Sequence, residues 1–469
     1  MRKVWAATFI FAGMLCACAI GLRQDYKLAE GGGGAGLGSG AGVGGAADVG
    51  GTTIVTGLGG GGGEPCVPEV PEGPTVLVSG AFAGSMSEEQ AQTITLIDLD
   101  GDGLAEICGH DGERFVCHAR RAPCDTSDEV FWSLPPLDAA WLTDDAQRTS
   151  LRFGDVDGNG RIDACVRKPS GIWCALGQPG VVEAPLERWS SSFSAANGWD
   201  GESHAPTIQL MDMDGDGDAD ICGRGVEGVF CALSVGTGAA PAEKWSVEID
   251  YSDEYPDNKQ PFSYLTFRII DIGGSKQPDV CIGVPGLHCA INKAPGTLEL
   301  NLSSKWQGMT DHPSWKEEQY YRTIQFPDLD GDGLRDVCAR GEGGLYCALS
   351  LGTAFDTHHF MLPELADQMG WNQKIRYRTL RVVDVDGDGR PDACGRDGTG
   401  IVCGLRLAQL PDEGPFFANL ANWSPAFADD GDFEEDDSQI FTLQTAEVDG
   451  TPGVEWCARR LDGIWCTSD

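Results

Sequence analysis

Residues Asp328 to Cys338 read DLDGDGLRDVC, an acidic, glycine-rich loop running straight into a cysteine, and the chain carries this pattern seven times. The other copies are DLDGDGLAEIC from Asp98, DVDGNGRIDAC from Asp155, DMDGDGDADIC from Asp212, DIGGSKQPDVC from Asp271, DVDGDGRPDAC from Asp384 and the eroded EVDGTPGVEWC from Glu447. Successive copies begin 57, 57, 59, 57, 56 and 63 residues apart. A unit of such constant size is one supersecondary element, which cannot bury a core without its neighbours.

Working outward from Asp328, the unit reads as strands. An apolar strand (Tyr321 to Phe326) precedes the acidic loop, a short strand (Asp336 to Arg340) follows it, and a glycine turn leads into a third (Leu345 to Ser350). A more variable stretch completes the repeat. No long helical periodicity separates the loops, which excludes a parallel α/β fold. The pattern predicts an all-β chain: a seven-bladed β-propeller of four-stranded antiparallel blades over residues 74–469. The spare segment Thr75 to Phe82, TVLVSGAF, is predicted to supply the last blade's missing strand and close the ring.

The cysteines follow the same period. Fourteen of the 18 fall as one pair per repeat: Cys108/Cys117, Cys165/Cys174, Cys222/Cys231, Cys281/Cys289, Cys338/Cys347, Cys394/Cys403 and Cys457/Cys466. In DVCARGEGGLYCALS a two-residue turn at Glu342-Gly343 would set Cys338 opposite Cys347 at a non-hydrogen-bonded position, close enough for a disulfide. Zinc is the competing reading, but the spacing is longer than that of zinc knuckles and each repeat offers only two thiols. Cys66 and Cys124 are left to pair with each other.

The loops have metal-ligand spacing. Carboxylates at positions one, three and five converge, glycine at six permits the turn, position seven offers its carbonyl and position nine returns another carboxylate; hard oxygens of this kind suit Ca2+. The predicted ligands are Asp98, Asp100, Asp102, Leu104 and Glu106; Asp155, Asp157, Asn159, Arg161 and Asp163; Asp212, Asp214, Asp216, Asp218 and Asp220; Asp328, Asp330, Asp332, Leu334 and Asp336; and Asp384, Asp386, Asp388, Arg390 and Asp392. An EF-hand would need an acid at position twelve, where these loops have Gly109, Val166, Gly223, Ala339 and Gly395. The loop at Asp271 has Gly273 and Ser275 in place of the second and third carboxylates, and that at Glu447 has Thr451 at position five and Pro452 for the turn glycine; both are expected to bind weakly or not at all, leaving about five sites.

Composition bears on partners and location. Asp and Glu outnumber Lys and Arg 72 to 33, a net charge of −39 that makes nucleic acid or an anionic membrane surface an improbable partner. Residues 1–18 read as an export signal, with basic Arg2-Lys3, a short apolar run and Leu15-Cys16-Ala17-Cys18 resembling a bacterial lipoprotein signal in which Cys18 is lipidated. Simple cleavage and secretion is the alternative. Residues 19–73 include 18 glycines between 31 and 63 and read as a flexible tether. The expected location is the bacterial outer membrane or cell surface, or the medium. Membrane contact is expected only through the Cys18 anchor.

The loops and hairpins together resemble the FG-GAP (VCBS-type) repeats of integrin α-subunit propellers. The stretch Trp189 to Gly238, WSSSFSAANGWDGESHAPTIQLMDMDGDGDADICGRGVEGVFCALSVGTG, is similar to the repeat of fungal seven-bladed lectins with an integrin-like fold. The resemblance implies calcium in the strand-connecting loops and a carbohydrate-binding, non-enzymatic role. A glycan or an extracellular protein is the implied ligand, with an adhesion scaffold and a polysaccharide-degrading enzyme as alternatives. The chain departs from the family in its cysteine pairs, and its Gly-Trp element is plain only at Gly198-Trp199 and Gly370-Trp371.

Two further periodic features could serve ligand or core. An arginine follows the first cysteine by two positions at Arg167, Arg224, Arg340, Arg396 and Arg459, and an aromatic precedes the second at Trp173, Phe230, Tyr346 and Trp465. Sugar contact is one reading; blade packing, with the arginines paired to loop carboxylates, is the favoured one. Trp132, Trp189, Trp245, Trp306 and Trp423 are likewise expected between blades. The seven histidines share no register, and no nucleophile elbow, zincin helix or phosphate loop is present.

Overall fold

The computed structural model describes residues 74–119, 130–137, 141–201, 203–246, 264–283, 287–300, 316–357, 359–408, 415–429 and 437–467. The predicted signal, the tether, Cys18, Cys66, Cys124 and Trp306 lie outside them. The described chain is a seven-bladed β-propeller, each blade an antiparallel sheet whose second and third strands form the cysteine hairpin. Blade three is representative: Gln209–Met211, Asp220–Gly225, Gly228–Ala232 and Glu243–Ser246, in sequence order from the axis outward.

Ring closure follows the sequence expectation. In blade seven, Thr75–Ser79 pairs with Gly463–Thr467, placing Thr75 opposite Thr467 and Val76 opposite Cys466. The N-terminal strand therefore covers the edge that the last repeat would otherwise leave open.

One hydrogen bond recurs in every blade. A threonine or serine just before the innermost strand accepts the backbone N–H of the residue 17 positions on: Thr93 from His110, Ser150 from Arg167, Thr207 from Arg224, Thr266 from Gly283, Thr323 from Arg340, Thr379 from Arg396 and Thr442 from Arg459, all at 2.8 or 2.9 Å. It ties the entry of each blade to the far end of its second strand. The spacing is uniform because the acidic loop between the two strands keeps a fixed length.

The apolar core is divided into seven clusters, one per blade interface. In each, the cysteine pair of one blade packs against aliphatic side chains of the next; Cys165, Cys174 and Trp189 of blade two meet Ile208, Leu210 and Ile221 of blade three. The last cluster sets Cys457, Cys466 and Ile464 of blade seven against Ile94 and Ile107 of blade one. All seven pairs are disulfides with Cα atoms 4.0–4.1 Å apart. Each lies at a directly opposed, non-hydrogen-bonded register of its hairpin.

Blade five departs from the expected strand at Tyr321 to Phe326. Glu318–Tyr321 is a helical turn, and only Gln325 bridges to Cys338. Pro327 is the reason. At the position where other blades present an N–H to the second strand it has none, so only its carbonyl pairs, accepting from Asp336 at 2.7 Å.

Each disulfide closes a loop of about ten residues, for which chain entropy gives about 2–3 kcal/mol. The double variant Cys338→Ala/Cys347→Ala is therefore expected to lose at least that much stability, read from chemical denaturation at unchanged far-UV circular dichroism. A midpoint equal to that of the parent would contradict the staple role.

Candidate metal centres

All the acidic loops join a first to a second strand, so they share one face of the ring; the hairpins and the short helical turns share the other. Within a complete loop the carboxylates organise the backbone through successive short-range bonds. Asp98 accepts the N–H groups of Gly101 and Gly103 at 2.7 and 2.9 Å, Asp100 that of Asp102 at 3.2 Å and Asp102 that of Leu104 at 2.9 Å. Gly103 has φ of 91°, and the same sixth position in the other complete loops is also left-handed glycine.

The structure brings ligand oxygens of positions one, three and nine within 4.8 Å of one another in four loops: Asp98, Asp100 and Glu106; Asp155, Asp157 and Asp163; Asp212, Asp214 and Asp220; Asp384, Asp386 and Asp392. In the fifth complete loop the trio is Asp328, Asp330 and Asp332. Each trio could hold a metal ion. The fifth-position groups Asp102, Asn159, Asp216, Asp332 and Asp388 each accept the N–H of position seven through one oxygen. Of the seventh-position residues, Arg390 pairs its guanidinium with Asp388, and Asp218 lies against Gly158 of the neighbouring loop, where it feels Asp155 and Asp157.

The position-nine acid has a role that the ligand pattern did not reveal. In all seven blades it is buried and accepts the N–H of loop position two at 2.6–3.1 Å, from Leu99, Val156, Met213, Ile272, Leu329, Val385 and Val448. In five blades its other oxygen accepts a second backbone N–H, from just beyond the third strand in four of them, as Asp163 does from Gly177 at 2.7 Å, and from Asn292 within it in blade four. The signal was in the sequence: Asp279 and Glu455 persist in the two eroded loops. In the loop at Asp271 the hydroxyl of Ser275 replaces a carboxylate as the acceptor, and Lys276 is held at φ of 66° where the complete loops have glycine.

Burial pushes these carboxyls up, outweighing the N–H groups that pull them down, and neighbouring loop carboxylates push the same way. Glu106 and Glu455 rise to about 8, Asp163, Asp220 and Asp336 to about 7, and Asp279 and Asp392 to about 6.

The recurring arginines are buried, but they do not pair with the loop carboxylates. They sit at the far end of the second strand from the loop, and three of them fasten the connection that leaves the outer strand. Arg340 Nε donates to Leu365 O at 2.9 Å and its Nη2 to Asp367; Arg396 binds Phe427 O at 2.6 Å and Asp429; Arg459 binds Phe82 O at 2.9 Å and Gly84 O. Four or five strand residues, roughly 13–17 Å, separate them from position nine.

Trp132, Trp189 and Trp245 are buried between blades as expected, whereas Trp423 is 37% exposed. Trp199 and Trp371 fill space left by Gly223 and Gly395, where a Cβ would meet the indole at 2.8 and 2.7 Å. The aromatics before the second cysteine are half-buried near the hairpin ends. Trp173 donates to Ser170 at 2.9 Å under the Lys168 ammonium, and Trp465 donates to Asp462 at 2.7 Å beside Arg460.

Metal-free protein should show a distinctive pH dependence. Because the folded carboxyls titrate above their ordinary values of 3.8 and 4.5, the folded state keeps protons that the unfolded chain has released. Stability should therefore fall as pH rises from about 4 to 8. Thermal melts in chelator across that range would test this, and a melting temperature that rises or stays flat would refute it.

Residues 328–394 match the FG-GAP-like repeat. No curated protein matches the chain. Among solved structures, a lectin of Agrocybe aegerita, described as recognising non-reducing terminal N-acetylglucosamine, is 18% identical with a TM-score of 0.62 over 78% of this chain and 88% of its own. A rhamnogalacturonan lyase of Bacillus licheniformis is 12% identical with a TM-score of 0.33, over 79% of this chain and 81% of its own. A Photorhabdus luminescens Tc holotoxin pore is 15% identical with a TM-score of 0.40 over 80% of this chain and 16% of its own. The chain is thus a seven-bladed β-propeller that carries an FG-GAP-like repeat and shares its fold with a fungal lectin.

Proposed function

We propose that this protein is an exported, carbohydrate-binding propeller whose complete acidic loops hold Ca2+, and that it binds glycans without transforming them. The observation that carries the reading is the ring of half-buried aromatics at one register, Trp173, Phe230, Tyr346 and Trp465, two of them flanked by cations and bonded through their indole nitrogens. Flat apolar faces bordered by fixed polar groups match the alternating C–H and hydroxyl surfaces of a sugar ring. The fold shared with a lectin that recognises N-acetylglucosamine supports the same reading.

Calcium fits the loops on chemical grounds. The ligands are all hard oxygens, and without a cation three carboxylates converge within 4.8 Å. A dication would offset that repulsion and fix the turn. The role is structural, since the loops lie on the face opposite the aromatic hairpin ends. Seven disulfides favour an oxidising compartment. Residues 1–18 as an export signal, Cys18 as a lipid anchor and residues 19–73 as a tether complete the proposal.

At 100 times its dissociation constant, calcium should stabilise the fold by about 2.7 kcal/mol per independent site. Titration calorimetry should find about one ion per complete loop. Asp330→Ala should remove one ion, and Gly273→Ala in the degenerate loop should remove none. An unchanged melting temperature on adding calcium to chelated protein would defeat the assignment.

A glycan array read with and without chelator tests the ligand class. Trp173→Ala and Trp465→Ala should each weaken the best glycan by roughly tenfold while leaving the calcium-dependent melting temperature in place. No binding to any glycan, or release of shortened products from one, would overturn the non-enzymatic lectin reading.

A further inference from the structure

In five blades the residue whose N–H binds the second oxygen of the position-nine acid lies in or just beyond the third strand: Gly177, Ser234, Asn292, Ser350 and Arg406. Three of them also send a side chain across to the preceding blade, onto the carbonyl of loop position two. Asn292 Nδ2 donates to Met213 O at 3.0 Å, Ser350 Oγ to Ile272 O at 2.8 Å, and Arg406 Nε and Nη2 to Leu329 O at 3.0 and 2.8 Å. A neutral donor therefore suffices for this bond between blades, and Arg406 brings a charge that the bond does not require.

That charge stands beside a complete acidic loop. Leu329 lies between Asp328 and Asp330, and its N–H is the one that Asp336 accepts at 2.6 Å, so Arg406 and the position-nine acid grip the same residue. Arg406 is 6% exposed. Its Nη1 donates to Leu407 O at 2.6 Å, and its guanidinium carbon stands 5.5 Å from the centre of the Phe416 ring. Among the described residues, no carboxylate is bonded to it. Carbonyls and a ring thus fix the guanidinium in place and leave its charge uncancelled.

Burial pushes the Arg406 guanidinium below its ordinary pKa and Arg390 adds to that, while Asp330 and Asp336 of loop five and Asp392 of loop six push it back up. Arginine stays charged through such shifts. Arg390 itself is paired with Asp388. The loop at Asp212 is the internal comparison: it carries aspartates at the same positions one, three, five and nine, and the neutral Asn292 reaches it where Arg406 reaches the loop at Asp328. A fixed positive charge close to clustered carboxylates offsets part of their mutual repulsion, and by the same law opposes a dication entering among them.

We propose that Arg406 is a resident counter-ion for the loop at Asp328, holding that turn together when calcium is scarce and lowering the loop's affinity for Ca2+. The inference rests on the calcium reading above.

The test is Arg406→Ser in the full chain, with Asp330→Ala and the double variant alongside, read by thermal melts in chelator and in calcium chloride and by calorimetric titration with calcium chloride. Serine already occupies this register at Ser234 and Ser350, so the variant should fold. Loss of packing alone would lower the melting temperature equally in both media. The counter-ion role requires a larger drop in chelator than in calcium, and one calcium site tightened roughly tenfold. That tightening should vanish in the Arg406→Ser/Asp330→Ala variant. Equal drops in the two media, or unchanged calcium affinities, overturn the counter-ion role, and tightening that survives Asp330→Ala overturns its assignment to the loop at Asp328. Absence of calcium uptake by wild type overturns the calcium reading and this inference with it; normal uptake by wild type with no change in the variant overturns this inference alone.

Discussion

A buried carboxylate that clamps a backbone amide seven residues behind it is the interaction on which the rest of the ring depends. It appears in all seven blades, including the two whose loops are eroded. By fixing the return of the loop, it sets where the second strand begins. That placement determines the threonine bond 17 residues apart, the opposition of the two cysteines and the register at which one blade's disulfide meets the next blade's aliphatic side chains. The acidic cluster grafted onto this clamp can decay without loss of the blade, and the loop at Asp271 shows what remains: a serine standing in for an aspartate and a lysine in a glycine's conformation.

The two faces of the ring have different chemistry because the strands carry loops of different kinds at their two ends. One end collects converging carboxylates. The other collects buried guanidiniums, helical turns and aromatic hairpin ends. Arg340, Arg396 and Arg459 there hold down the connections leaving their own outer strands, so the hairpin face is tied together within those blades, while the apolar clusters tie blades to each other. Rigidity of that kind suits a surface that positions side chains for recognition.

Much of the architecture was legible because it is periodic. The repeat length gave the blade count, the cysteine spacing placed each hairpin turn, and the orphan strand TVLVS announced the closure. What escaped was carried by residues outside the period. Asp367 and Asp429, the true partners of Arg340 and Arg396, lie in connections whose length and composition vary from blade to blade. Pro327 deletes a single N–H and with it most of a strand. The position-nine acids were read as ligands because metal spacing accounts for them; their persistence in the eroded loops marked a second duty.

Closure by Thr75–Ser79 has a consequence for how the molecule is made. The segment that seals the ring is synthesised before any blade, while its partner Gly463–Thr467 comes after all the others. Six blades can fold as they emerge, but the seventh must wait, its first strand idle, until nearly the whole polypeptide has been made. Completion is thus a single late docking event between distant parts of the chain, slow by the loop it must close, and until it occurs the molecule is an open arc with an unpaired strand at each end.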